Sequence, residues 1–129
     1  MAKFYNGLNN VQLFSMPFDS GDTFKPGMFV TIRDGKVAFA SAVGDGPVYC
    51  VFGDTEEPSS EASGSVGLMF GSFRLQTTYV ANDTYAAGDR LTIGTDGKLQ
   101  KPTASEPTFA VVESIDSASP LTLTVKVNI

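Results

Sequence analysis

The sequence has no histidine, no tryptophan and one cysteine among 129 residues. Without imidazole, the commonest general base, the Ser–His and Cys–His nucleophile pairs and the commonest transition-metal ligand are all missing. One thiol and no imidazole cannot assemble a structural zinc site of the usual kind. Cys50 has no second cysteine to pair with, so no intrachain disulfide can form. Its surroundings, Val48-Tyr-Cys-Val-Phe52, are apolar. That setting fits a small buried hydrophobe and lacks the electropositive, accessible environment of a reactive thiolate.

Charge is also sparse. Charged residues make up 18% of the chain, and the net charge is −5. The nine basic residues are scattered singly. Binding a phosphate backbone depends on clustered Lys and Arg, so nucleic acid is not an expected partner. No apolar run approaches the roughly 18 residues that read as a membrane-spanning helix, so no membrane partner is expected. The segment Met1 to Leu8 carries one Lys and is broken by Asn6, so it lacks the apolar centre of a secretory signal. Synthesis in the cytoplasm is the expectation.

Other chemistry is missing as well. There is no GxxxxGK[ST] phosphate loop and no dinucleotide fingerprint. The acidic residues fall mostly in turn contexts (Asp19, Asp22, Asp34, Asp45, Asp83, Asp89, Asp96) or in the Ser-rich stretch Asp54 to Gly64. Turn aspartates usually hydrogen-bond their own backbone. A carboxylate pair facing across a cleft, as a glycosidase needs, is therefore not expected. Neither enzymatic activity, a cofactor nor a bound metal is anticipated.

What is present points to an all-β fold. Leu121, Leu123, Val125, Val127 and Ile129 alternate with Thr122, Thr124, Lys126 and Asn128. Period two places the apolar side chains on one face of a strand. A second alternating run covers Phe73 to Tyr79. Further strands are expected at Met28 to Ile32, Lys36 to Ala42, Val48 to Phe52, Val66 to Phe70, Arg90 to Ile93 and Thr108 to Ser114, bounded by Gly, Asp, Asn and Pro. A short helical turn fits only near Asn82 to Ala87.

The chain also echoes itself. Phe24-Lys-Pro-Gly-Met-Phe-Val-Thr-Ile-Arg-Asp-Gly-Lys-Val37 resembles Tyr85-Ala-Ala-Gly-Asp-Arg-Leu-Thr-Ile-Gly-Thr-Asp-Gly-Lys-Leu99. Gly27 matches Gly88 at an offset of 61 (88 − 27), and Asp34-Gly35 matches Asp96-Gly97 at 62, one residue having been added before the second turn. Pro47 to Val51 matches Pro107 to Val111 at 60, and Phe73 to Val80 corresponds to Leu121 to Asn128. Asp-Gly between apolar runs is a strong hairpin signal, because a type I′ turn needs φ > 0 at both central residues. The expected architecture is a compact barrel or sandwich built from two similar hairpin-containing units, about 24–80 and 85–129, within one β domain over 24–129. The acidic stretch 54–64 should form a surface loop.

Residues 1–23 fall outside this scheme. They hold Phe4, Tyr5, Leu8, Phe14 and Phe18 with no clean period and read as an irregular N-terminal arm. Such an arm either pads the core or packs on a neighbouring subunit. In the second case these five residues are the candidate protein contacts.

The pattern aromatic-x-x-Gly-Asp-x-Leu, a short strand, Asp-Gly-Lys-Leu and an apolar strand runs from Tyr85 to Glu113, and Phe24-Lys-Pro-Gly-Met-Phe-Val opens the first unit in the same style. The two Gly-turn hairpins resemble those of the head decoration, or cement, proteins of tailed bacteriophages. The resemblance implies a non-enzymatic protein on the outer surface of the mature capsid, made in the host cytoplasm. It implies the major coat protein as partner and self-association, as a homotrimer in the first place with a dimer as the alternative. Two other classes fit a small β protein: another phage component (tail tube, head completion or fibre base), and a carbohydrate-binding β module.

Overall fold

The structure is a computed structural model that describes residues 2–4, 11–19, 23–40, 46–52 and 65–129. It is predominantly β, an antiparallel sheet curled into a half barrel. Among the described residues ten strands run in chain order: β1 (Ala2–Phe4), β2 (Val11–Pro17), β3 (Phe29–Arg33), β4 (Lys36–Phe39), β5 (Tyr49–Val51), β6 (Ser65–Thr77), β7 (Arg90–Ile93), β8 (Leu99–Gln100), β9 (Ala110–Ala118) and β10 (Leu121–Asn128). Their order across the sheet is β4-β3-β5-β6-β10-β9-β7-β8, and β1 and β2 both pair with β6.

The strands expected from Met28, Val48, Arg90 and Leu121 form within a residue of their sequence limits, β4 ends at Phe39, and β9 runs on to Ala118. Three differences matter. First, the N-terminal segment is not wholly irregular, since β1 and β2 are strands laid along β6. Second, Val66 to Phe70 and Phe73 to Tyr79 are not separate strands. One 13-residue strand, β6, covers the first and takes the second as far as Thr77, continuing through Gly71. Third, no helix forms at Asn82 to Ala87. Among the described residues the single 3₁₀ turn is Thr95–Gly97, inside the second Asp-Gly hairpin. The acidic stretch 54–64 lies outside the described residues.

The two Asp-Gly turns adopt the expected left-handed backbone, with φ of 53° and 78° at Asp34 and Gly35 and of 64° and 68° at Asp96 and Gly97. Ile32 pairs with Val37, and Ile93 pairs with Leu99, so the second turn is one residue longer. Other backbone bonds recur at a fixed spacing. The Gly27 N–H donates to Val51 O (2.9 Å), and the Gly88 N–H donates to Val112 O (2.8 Å). Val51 N–H donates to Met28 O, and Val112 N–H donates to Asp89 O, both at 2.9 Å. Both Gly27 and Gly88 have φ of 93°, where an L side chain is strained.

This register corrects two of the sequence matches. The bonds of Val51 and Val112 recur at an offset of 61 (112 − 51), one more than the Pro47 and Pro107 blocks give. Phe73 to Val80 does not correspond to Leu121 to Asn128. Those segments hydrogen-bond to one another, with Phe73 opposite Val127 and Thr77 opposite Leu123.

The core explains why several strands show no alternation. Val30, Val51 and Leu68 face one cluster with Phe18 and Phe24. Their neighbours Phe29, Cys50 and Met69 face a second cluster with Phe73, Leu75, Leu91, Leu99 and Val125. A strand buried on both faces reads as a continuous apolar run. β10 is buried on one face only, so Leu123, Val125 and Val127 alternate with more exposed residues.

The tip of the second hairpin packs against the first. A Cβ placed on Gly97 would lie 2.3 Å from the carbonyl oxygen of Phe29, whereas one on Gly35 would meet nothing within 4 Å. The turns share Asp-Gly-Lys, yet only one is a tertiary contact.

Candidate interaction surface

Of the five residues proposed as contacts, the side chains of Phe14 and Phe18 are described, and both pack against the fold. Phe18 is 7% exposed and sets its ring edge-on to Phe24 at 5.9 Å. Phe14 is half-buried, with its ring 5.0 Å from Tyr49 and 6.0 Å from Phe70, edge-on to both. For these two, the core-padding alternative is what the fold realises. Strand pairing to β6 turns Phe14 and Met16 inward, and they join Phe18 against the first cluster. Phe4 lies on β1 opposite Leu75. Tyr5 and Leu8 lie outside the described residues.

Exposed large apolar side chains occur elsewhere. Leu13 is 56% exposed, Ile115 42% and Phe52 39%. Leu13 lies on the outward face of β2, opposite Met69, and was not singled out from the sequence. β2 carries apolar residues on both faces, so its alternation was hidden. The available signal was the pairing of Phe14, Met16 and Phe18 at spacing two.

The outer face of β6, β9 and β10 is polar and cross-linked. Arg74 Nε donates to Glu113 at 3.1 Å. Asp116 accepts from Gln76 Nε2 (2.9 Å), Ser114 Oγ (2.7 Å) and the Thr124 hydroxyl. The Thr124 hydroxyl contributes most to holding the Asp116 carboxyl below its ordinary range. Partial burial opposes this, and Gln76 and Ser114 reinforce it. These groups satisfy one another, so the face is a preformed hydrophilic plate and not a set of open ligands.

Among the described residues, shallow recesses open at two places on the surface. One, of about 240 Å³, lies between Asn82, Asp83 and Tyr85 on one side and Ile115 and Leu121 on the other. The Tyr85 hydroxyl there donates to Ala81 O at 2.6 Å. Burial, then Asp83 and Asp89, push its phenol up to about 12, so it is no base at neutral pH. The other recess, of about 330 Å³, is lined by Ser72, Phe109, Lys126 and Asn128. Among the described residues no group of three or more His, Cys, Asp or Glu is placed to hold a metal. Cys50 is wholly buried, and burial pushes its thiol well above the ordinary range. No helix among the described residues is long and apolar enough to cross a membrane.

The chain matches no protein-family model, and no curated protein matches it.

Proposed function

We propose that the protein is a decoration, or cement, protein of a tailed-bacteriophage head. It adds to the outer surface of the expanded shell and ties neighbouring coat subunits together. The observation that carries this reading is the pair of Gly-turn hairpins, Gly27 to Val37 and Gly88 to Leu99. Their sequence resembles that family, and their backbone hydrogen bonds recur at one spacing.

Within this reading the chain is a duplicated β unit. The first copy comprises β2 to β5 with the start of β6, and the second comprises the end of β6 with β7 to β10. The recurrent bonds support it, as do the matching interior positions Val30 and Leu91, Val51 and Val112, and Leu68 and Val125. A sheet of short strands tied by many cross-strand bonds is a stiff body, suited to bridging subunits under load. Binding in many copies across a lattice turns weak contacts into firm attachment. The expected partners are the major coat protein and further copies of the chain.

The test is co-sedimentation of the purified protein with undecorated heads, comparing compact precursor shells with expanded ones. Saturable binding to expanded heads alone, at a fixed ratio to coat protein, is the expected result. Binding to neither shell refutes the reading.

A further inference from the structure

We propose that the outer edge of β2 is a self-association site, where a second copy adds its own β2 antiparallel about a two-fold axis at Leu13. This deepens the self-association expected in the capsid reading, and its comparison of the two halves rests on the duplicated unit described there.

The argument starts from which way the backbone points. The Phe52 N–H donates to Gly67 O at 2.9 Å, so Gly67 faces β5. Successive residues of a strand point to alternate sides, so Val66 and Leu68 face β2. Met16 and Phe14 lie opposite them and hydrogen-bond to β6. Leu13 and Ser15 therefore aim their N–H and C=O groups away from β6. Among the described residues no strand takes them.

The other half of the molecule indicates what such an edge accepts. Val51 lies opposite Leu68, which lies opposite Phe14. Val112 lies opposite Val125, which lies opposite Leu75. Phe14 and Leu75 thus occupy matching places. Beyond Leu75 the strand β1 is laid antiparallel, with Lys3 opposite Gln76. The same edge in the first half is without that strand among the described residues.

The composition of β2 points to another copy of this chain. Edge strands are ordinarily guarded by charge, Pro or a bulge. β2 has no Lys, Arg, Asp or Glu in seven residues, and its Pro17 stands at the far end. β4 opens on Lys36, and β8 is flanked by Lys98 and Lys101. In a chain of net charge −5, an uncharged edge is where two copies approach without like charges meeting. A two-fold axis at Leu13 places Val11 opposite Ser15 of the second copy and Leu13 opposite its counterpart. The outward backbone groups of these residues are then matched. The two Leu13 side chains, each 56% exposed in the monomer, cover one another.

The experiment measures mass by light scattering across a concentration series, for the wild type, Leu13→Lys and Ser15→Pro. The first variant sets like charges opposite each other. The second removes an outward N–H at an exposed edge position, where Pro is tolerated. Far-UV circular dichroism checks that both retain the β fold. Amide exchange on the wild type needs no variant. Leu13 and Ser15 should gain protection as concentration rises, while Phe14 and Met16 are protected throughout. A wild type of two chains, with both variants reduced to one chain, is the expected result. A wild type that stays a single chain at hundreds of micromolar, forms trimers, or dimerises equally well in both variants overturns the proposal.

Discussion

Substituting alanine at Gly97 and at Gly35 separates two contributions that look identical in sequence. Both glycines follow an Asp in a hairpin turn, with φ of 68° and 78°. An L residue in that region costs about 1–2 kcal/mol, so each substitution carries roughly the same backbone penalty. At Gly35 nothing lies within 4 Å of the added carbon, and the penalty should end there. At Gly97 the added carbon would stand 2.3 Å from Phe29 O and 3.1 Å from Phe29 N. Neither atom is the end of a flexible side chain. The hairpin must lift from β3 or the strand must move. Overpacking of this kind typically costs a further ~1–3 kcal/mol. Gly35→Ala should therefore lose about 1–2 kcal/mol and Gly97→Ala about 2–5 kcal/mol. For a chain of this size, 1 kcal/mol shifts the melting midpoint by roughly 3–5 °C. Urea titration and thermal melting of the two variants side by side would measure both. Equal losses would refute the argument that the second hairpin tip is a packed tertiary contact.

Three more predictions follow from the interior and the polar face. Cys50 should resist a thiol reagent at pH 8 in the native state and react once urea unfolds the chain, because burial raises its pKa and excludes the reagent. Tyr85→Phe should lose about 1 kcal/mol or less, since it removes a part-buried hydroxyl bond to Ala81 O, and its destabilisation is read from the urea midpoint. Asp116→Asn should cost under about 1 kcal/mol at pH 7, because an exposed carboxylate is screened by water. The Asp116 carboxyl is lowered in the folded state, so its contribution is present above the unfolded pKa and is lost as pH falls through the folded value. The gap between wild type and Asp116→Asn should stay constant from about pH 7 to pH 5 and close below about pH 4. A gap that widens in acid would contradict the hydrogen-bonding argument.

The sequence by itself determined what depends on neighbours along the chain. The period of two in β10 declares a strand with one buried face. The Asp34-Gly35 and Asp96-Gly97 pairs declare left-handed turns, because φ > 0 is a local requirement. The burial of Cys50 is legible in the apolar run around it. Tertiary structure decided what depends on distant neighbours. β2 is a strand because β6 offers it an edge, and its apolar residues on both faces conceal that in the sequence. Phe18 is a core residue, and Phe14 packs against the core, because Phe24, Tyr49 and Phe70 come to meet them. β6 runs unbroken through Gly71 because it pairs with β2 and β5 along its first part and with β1 and β10 along its second. Gly97 is packed and Gly35 is free, although both sit in Asp-Gly-Lys, because the sheet curls one hairpin tip onto β3 and leaves the other in solvent. The same holds for the edge at Leu13 and Ser15, which no strand among the described residues covers: how backbone groups are paired is a property of the assembled sheet, and no single strand encodes it.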